Sequence, residues 1–149
     1  MSLNVNIIKL NYQEKHVLYV SIITSIMLIQ LFVFSLKVGM ARNKDGVNAP
    51  AIIGNDHFER CYRVHYNSIE LLIIAIPSMW MFANHVHALI AAGLGFIYVI
   101  GRVIYAKAYV ADPATRGIGF MVSMVPTLIL MLGALIGAIV SLVKTGQLL

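Results

Sequence analysis

The chain has 149 residues, 60% hydrophobic and only 11% charged, where an ordinary soluble domain has about 25% charged. With a mean hydropathy of +0.84, this composition excludes both a water-solvated globule and a disordered chain. The single cysteine, Cys61, closes no intrachain disulfide and builds no zinc cluster. The net charge of +5 is interleaved with lipid-length apolar runs, so the expected partners are anionic headgroups or an anionic ligand, and no nucleic acid.

Residues 17–36 carry no charge and are long enough to cross the roughly 30 Å hydrocarbon layer as a helix. They predict a first helix over about residues 16–40. The run exceeds the roughly 7–15 residues of a signal-peptide core, and no small-residue cleavage site follows, so it is expected to stay in the mature protein. Residues 41–57 collect Gly, Pro, Asn and charges, the chemistry of a loop. A second helix is predicted over 58–84. Its inner half is apolar, whereas its first half carries Glu59, Arg60, Arg63, Asn67 and Glu70. Asn84, His85 and His87 mark a short turn, because the next apolar run starts at once. A third helix follows over 87–110, ended by Asp112 and Pro113. Residues 117–143 have no charge and predict a fourth.

The expected fold is therefore all-α, a single integral-membrane domain built as a four-helix up-down bundle. Lys37, Arg42, Lys44, Arg60, Arg63, Arg102, Lys107 and Arg116 fall toward one end of this bundle, against Lys9, Lys15 and Lys144 at the other. The excess of basic residues puts the two charged loops on the cytoplasmic side and both termini opposite. Pro77 and Pro126 are expected to kink their helices, and Gly133-x-x-x-Gly137 to permit close helix contact.

Three polar residues of the second helix need a reason. At about 100° per residue, Arg63, Asn67 and Glu70 fall within an arc of about 60°. Glu70 lies about 16 Å beyond Glu59 along the axis, deep enough that its charge costs about 2.5–3.5 kcal/mol unless it faces a partner, water or a ligand. An internal ion pair, Arg63 to Glu70 or Glu70 to Arg102, is the structural alternative to a ligand. Arg102, Tyr105 and Tyr109 make a similar stripe on the third helix, for which interfacial tyrosines are the alternative. With the loop cations Arg42 and Arg116, the two stripes suit a small ligand carrying carboxylates, an ammonium and amides. Cys61 reads as a helix filler, and His85 and His87, two apart, suit a turn better than a metal pair.

The run from Phe58 to Glu70, with its pattern E-R-x-x-R-x-x-x-N-x-x-E, resembles the MAPEG family, the membrane-associated proteins of eicosanoid and glutathione metabolism. Arg102-x-x-Tyr105-x-x-x-Tyr109, then Arg116, and the preceding Ala41-Arg42 extend the resemblance over about residues 15–143. The resemblance implies a homotrimer of four-helix subunits in a bacterial inner membrane or the endoplasmic reticulum. It also implies glutathione, bound between subunits near the cytoplasmic face, as co-substrate with no metal. Carried over position by position, it implies that Arg63, Asn67, Glu70, Tyr105 and Tyr109 hold glutathione, joined by Arg42, His65 and Arg102, and that Arg116 faces the thiol. Leu71 and Asn43 depart from the pattern of the leukotriene-forming branch, and Gly117 from that of the prostaglandin-isomerising branch. A general glutathione transferase or peroxidase acting on lipophilic electrophiles or lipid hydroperoxides is thus the implied activity. The alternatives are a non-catalytic lipid-binding relative and a small channel or transporter with Arg63 and Glu70 along its path.

Overall fold

The computed structural model describes the backbone of residues 2–146 and side chains from Val17 onward. Among the described residues the secondary structure is entirely helical: α1 (Ser2–Lys44), α2 (Asp56–Phe82), a π-helical turn (Ala83–His87), α3 (Ala88–Ala111), a 3-10 turn (Pro113–Arg116) and α4 (Gly117–Lys144). Three stretches are long and apolar enough to cross a membrane, Val17–Lys44, Asp56–Ala111 and Pro113–Lys144; the second, of 56 residues, contains both α2 and α3.

Helix ends follow local chemistry. α1 runs well beyond the expected 16–40 at both ends, because apolar content measures a lipid-length run and does not stop a helix. With no Pro or Gly breaker between Met40 and Asp45, Arg42 sits in the last turn of α1 and not in a loop. The stop comes at Gly46, whose φ of 68° suits a residue without Cβ, while Val47 N–H reaches back to the Arg42 carbonyl at 3.1 Å, a C-terminal cap. Asn55 starts α2: its Oδ1 accepts from the N–H groups of His57 (2.9 Å) and Phe58 (3.3 Å), satisfying donors that have no intrahelical partner. The Glu59 carboxylate accepts from Gly54 N–H at 2.8 Å. Asp112 caps the 3-10 turn by accepting from Ala114 N–H at 3.0 Å.

The register of contacts defines the bundle. The Gln30 amide donates to the Val99 carbonyl at 2.9 Å and Ile23 packs on Gly95, so α1 and α3 run parallel. Asn67 meets Tyr105 and Met79 meets Gly95, so α2 is antiparallel to α3. Phe82 covers Gly133 and Val86 covers Gly137, which makes α2 and α4 parallel. The Gly133-x-x-x-Gly137 pair therefore serves contact within the chain. The closest approach is between α3 and α4: a Cβ on Gly101 would lie 2.5 Å from the Ser123 backbone nitrogen, and one on Gly119 would strike the Tyr105 backbone.

The core is apolar, with Val20, Met27, Ala75, Met79, Tyr98 and Leu130 essentially inaccessible. Buried hydroxyls satisfy themselves locally, Ser123 on the Gly119 carbonyl (3.0 Å) and Thr127 on that of Ser123 (2.8 Å). Outside lies a belt of large apolar side chains, among them Phe32, Ile73 and Leu135, a surface suited to lipid and not to water. The chain is an all-α membrane protein, and the ends of α1 and α3 lie beside the starts of α2 and α4, where the polar residues collect.

Candidate functional site

Antiparallel packing of α2 on α3 brings their polar stripes together. A cavity of about 330 Å³ between α2, α3 and the start of α4 is lined by Asn67, Glu70, Arg102, Tyr105 and Arg116, with Leu71, Ile74, Phe120 and Met124 as its apolar wall. Five of the nine residues selected from the sequence thus meet in one place.

Its polar floor is tied down. Asn67 Nδ2 donates to the Tyr105 hydroxyl at 2.6 Å. Arg102 is 1% exposed; its Nη2 donates to Ser68 Oγ at 2.6 Å, and the guanidinium lies 4.0 Å from the Tyr105 ring centroid. Arg102 Nε has no partner among the described residues. A buried, unsatisfied donor costs about 1–3 kcal/mol, and the cavity beside it offers the space for an acceptor.

The rim is open and charged. Glu70 is exposed, and among the described residues the ion pair present is His57 Nδ1 to Asp45 Oδ2 at 2.7 Å. Neither the Arg63–Glu70 nor the Glu70–Arg102 ion pair forms within this chain among the described residues. Arg116 is exposed at the junction of the 3-10 turn and α4. Its Nη1 donates to the Pro113 carbonyl at 2.6 Å, and its guanidinium stands 5.6 Å from the ring centroid of Tyr109, which in turn packs 5.4 Å from Tyr105. Tyr109 is therefore a neighbour of the cavity that braces both Tyr105 and Arg116.

Three of the selected residues lie elsewhere. Arg42 Nη1 donates to the carbonyls of Val47 (3.2 Å) and Ala51 (2.9 Å), and its guanidinium covers the Phe58 ring at 4.6 Å; within this chain it staples the α1–α2 loop. Arg63 is exposed and His65 half-buried on α2, and neither lines the cavity. Sequence reasoning missed Ser68, the anchor of Arg102. Ser68 lies one residue, about 100°, off the Asn67 stripe, and only the register of α3 on α2 shows its use. The described residues contain no cluster of three or more His, Cys, Asp or Glu side chains arranged to hold a metal.

An all-helical membrane bundle with a guanidinium-and-carboxylate cavity where its helix ends meet is the class of protein that these features define. Residues 20–136 match the MAPEG family, and the chain belongs to that family. It is 37% identical over 134 residues to an uncharacterized protein of Synechocystis sp., covering 90% of this chain and 98% of that one. It is also 37% identical over 103 residues to microsomal glutathione S-transferase 2 of Homo sapiens, covering 68% of this chain and 70% of the relative. To leukotriene C4 synthase of Cavia porcellus it is 31% identical over 83 residues, 56% of this chain and 55% of the synthase.

Proposed function

We propose that this protein is a membrane-embedded glutathione transferase. One observation carries the reading: Asn67, Glu70, Arg102, Tyr105 and Arg116 converge on a single cavity in a chain similar to a microsomal glutathione S-transferase. Each group has a use for a tripeptide bearing two carboxylates, an ammonium and a thiol. The Glu70 carboxylate accepts from the ammonium, Asn67 and Tyr105 serve the amides, and the guanidinium of Arg102 takes a carboxylate.

Arg116 is assigned to the thiol. A thiol with an ordinary value near about 8.5 is only a few per cent ionised at neutral pH. A guanidinium a few ångströms away favours the anion, and lowering that value by about 1 to 2 pH units corresponds to about 1.4–2.7 kcal/mol. The thiolate then forms a carbon–sulfur bond to an electrophile dissolved in the bilayer while halide leaves, or adds to an activated double bond that afterwards takes a proton. With a lipid hydroperoxide it attacks the terminal oxygen, breaking the O–O bond to leave the lipid alkoxide, which takes a proton, and glutathione sulfenic acid; a second glutathione thiol displaces water from that sulfur to give the disulfide.

The reading includes a homotrimer with the two charged loops on the cytoplasmic side. Supporting it, Arg63 and Glu70 are exposed on α2 with no ion pair among the described residues, Glu70 at a depth where a charge is costly. A neighbouring subunit would cover this face.

The test is a titration of purified protein with glutathione, following thiolate absorbance, in wild type and Arg116→Ala. The expected result is a thiolate signal in the wild type that the variant lacks while still binding the peptide. An equal signal in both removes Arg116 from the chemistry. No signal and no binding in the wild type would move the assignment to a lipid-binding protein.

A further inference from the structure

A second and larger cavity uses a different face of α3. It is a groove of about 750 Å³ between α1, the first turns of α2 and the last half of α3, within the roughly 300–1,000 Å³ range of ligand pockets. It shares no lining residue with the Arg116 cavity. Val33, Phe34, Val64 and Val103 make apolar walls, yet Lys37, Lys44 and Lys107 line it as well.

The lysines are placed by the parallel packing of α1 on α3. Gln30 bonds to Val99 across an offset of 69 residues, and the same offset sets Lys37 beside Ala106 and Lys107. Two ammonium groups thus share one groove. None of the three lysines has a hydrogen bond or an ion pair among the described residues. Of the carboxylates at this end, Asp45 is paired with His57, Glu59 accepts from the Gly54 N–H and Asp112 from the Ala114 N–H; none of them, Asp56 included, forms an ion pair with a lysine among the described residues. Like charges that line one groove with apolar walls repel more strongly than in water, and an anion between them reverses the sign of that interaction. From Gln30 to Lys37, α1 rises about 10 Å, room for the upper part of an acyl chain below the charged end.

We propose that this groove holds one anionic phospholipid of the surrounding bilayer, its phosphate between Lys37 and Lys107 and one acyl chain along Val33, Phe34 and Val103. The apolar walls select an amphiphile over a free anion, and the unpartnered lysines select an anionic headgroup over a zwitterionic one. The proposal is independent of the glutathione reading.

Cys61 is the reporter. It is buried, lines the groove and is the chain's single cysteine, so alkylation by a small neutral maleimide reads occupancy. The full chain is reconstituted into phosphatidylcholine discs with and without phosphatidylglycerol. The expected result is labelling about fivefold slower with phosphatidylglycerol, as for a site mostly filled. The slowing should vanish in the Lys37→Gln/Lys107→Gln double variant and persist in Lys144→Gln, which removes a charge outside the groove. Equal rates in both lipids, or slowing retained in the double variant, overturn the proposal. So does slowing by inorganic phosphate in phosphatidylcholine alone, which would make the groove a free-anion site, and so does slowing that follows protein density and not lipid, which would make the occupant a second copy. Native mass spectrometry guards against a variant that labels differently because it misfolds: a folded double variant of wild-type mass profile must lack the phosphatidylglycerol adduct that the wild type keeps.

Discussion

Two faces of α3 carry cations into an apolar bundle, and they do so in different ways. On one face Arg102 is fully buried, bonded to Ser68 and stacked on Tyr105, in a region where α3 and α4 approach closely at Gly101 and Gly119. On the other face Lys107 lines a wide groove with Lys37, and neither has a hydrogen bond or ion pair among the described residues. The guanidinium is planar and its donors fit fixed acceptors, so it can be locked by the fold; an ammonium on a flexible stem stays adaptable. The first face is built before any ligand arrives. The second has room and charge but no internal structure of its own, and its variants should barely disturb the fold.

The sharpest way to break this contrast is at the helix contact. Gly119→Ala puts a methyl group into the Tyr105 backbone, and overpacking of this kind costs about 2–3 kcal/mol. A large drop in thermal midpoint is expected in detergent, together with loss of glutathione binding. Gly93→Ala, where a Cβ meets open space, should gain up to about 1 kcal/mol from helix propensity. Similar midpoints for the two variants would show that the close α3–α4 approach is not what holds the site.

Arg102→Lys keeps the charge but loses the planar stack and the Ser68 geometry. A tenfold weaker glutathione affinity, about 1.4 kcal/mol, is expected by calorimetry, and unchanged affinity would reduce Arg102 to a filler. The link between Asn67 and Tyr105 is smaller. A double-mutant cycle with Asn67→Ala and Tyr105→Phe should return a coupling of about 0.5–1.5 kcal/mol in stability, and additive effects would mean that the 2.6 Å bond contributes nothing. The smallest effect belongs to the other face: Lys107→Gln should shift stability by less than about 0.5 kcal/mol, because no partner is lost. A larger loss on denaturant titration would falsify the picture of an unpartnered lysine.

Much of the fold was legible from residue order. The second, third and fourth helices begin and end within about two residues of their expected limits; Asn55 and Asp112 act through backbone groups two or three residues away, and Pro113 cannot continue a helix. α1 was underestimated at both ends, since its apolar run marks where lipid begins and not where hydrogen bonding stops. Of the residues that line the smaller cavity, Asn67, Glu70 and Arg102 stood out in the sequence because charge and amide groups on one arc of a lipid-depth helix are costly without a purpose, Tyr105 because it shares the Arg102 stripe, and Arg116 as a loop cation and by resemblance. Arg42 was placed among them by resemblance, but within the chain its guanidinium is held by two loop carbonyls. The lysine groove went unnoticed, because Lys37 and Lys107 are far apart in sequence and each looks like an ordinary charge near a membrane face.

Residue order by itself determined that this chain lives in lipid, that it is helical, and which helix faces are polar, since hydropathy and the helical repeat are properties of a single segment. Only the tertiary structure decided which polar groups satisfy one another and which are left open. That outcome depends on register between helices: the offset that joins Asn67 to Tyr105 and Arg102 to Ser68 leaves Glu70 without an ion pair among the described residues, and the offset that joins Gln30 to Val99 puts two lysines into the lining of one apolar groove. No segment taken alone contains either distance.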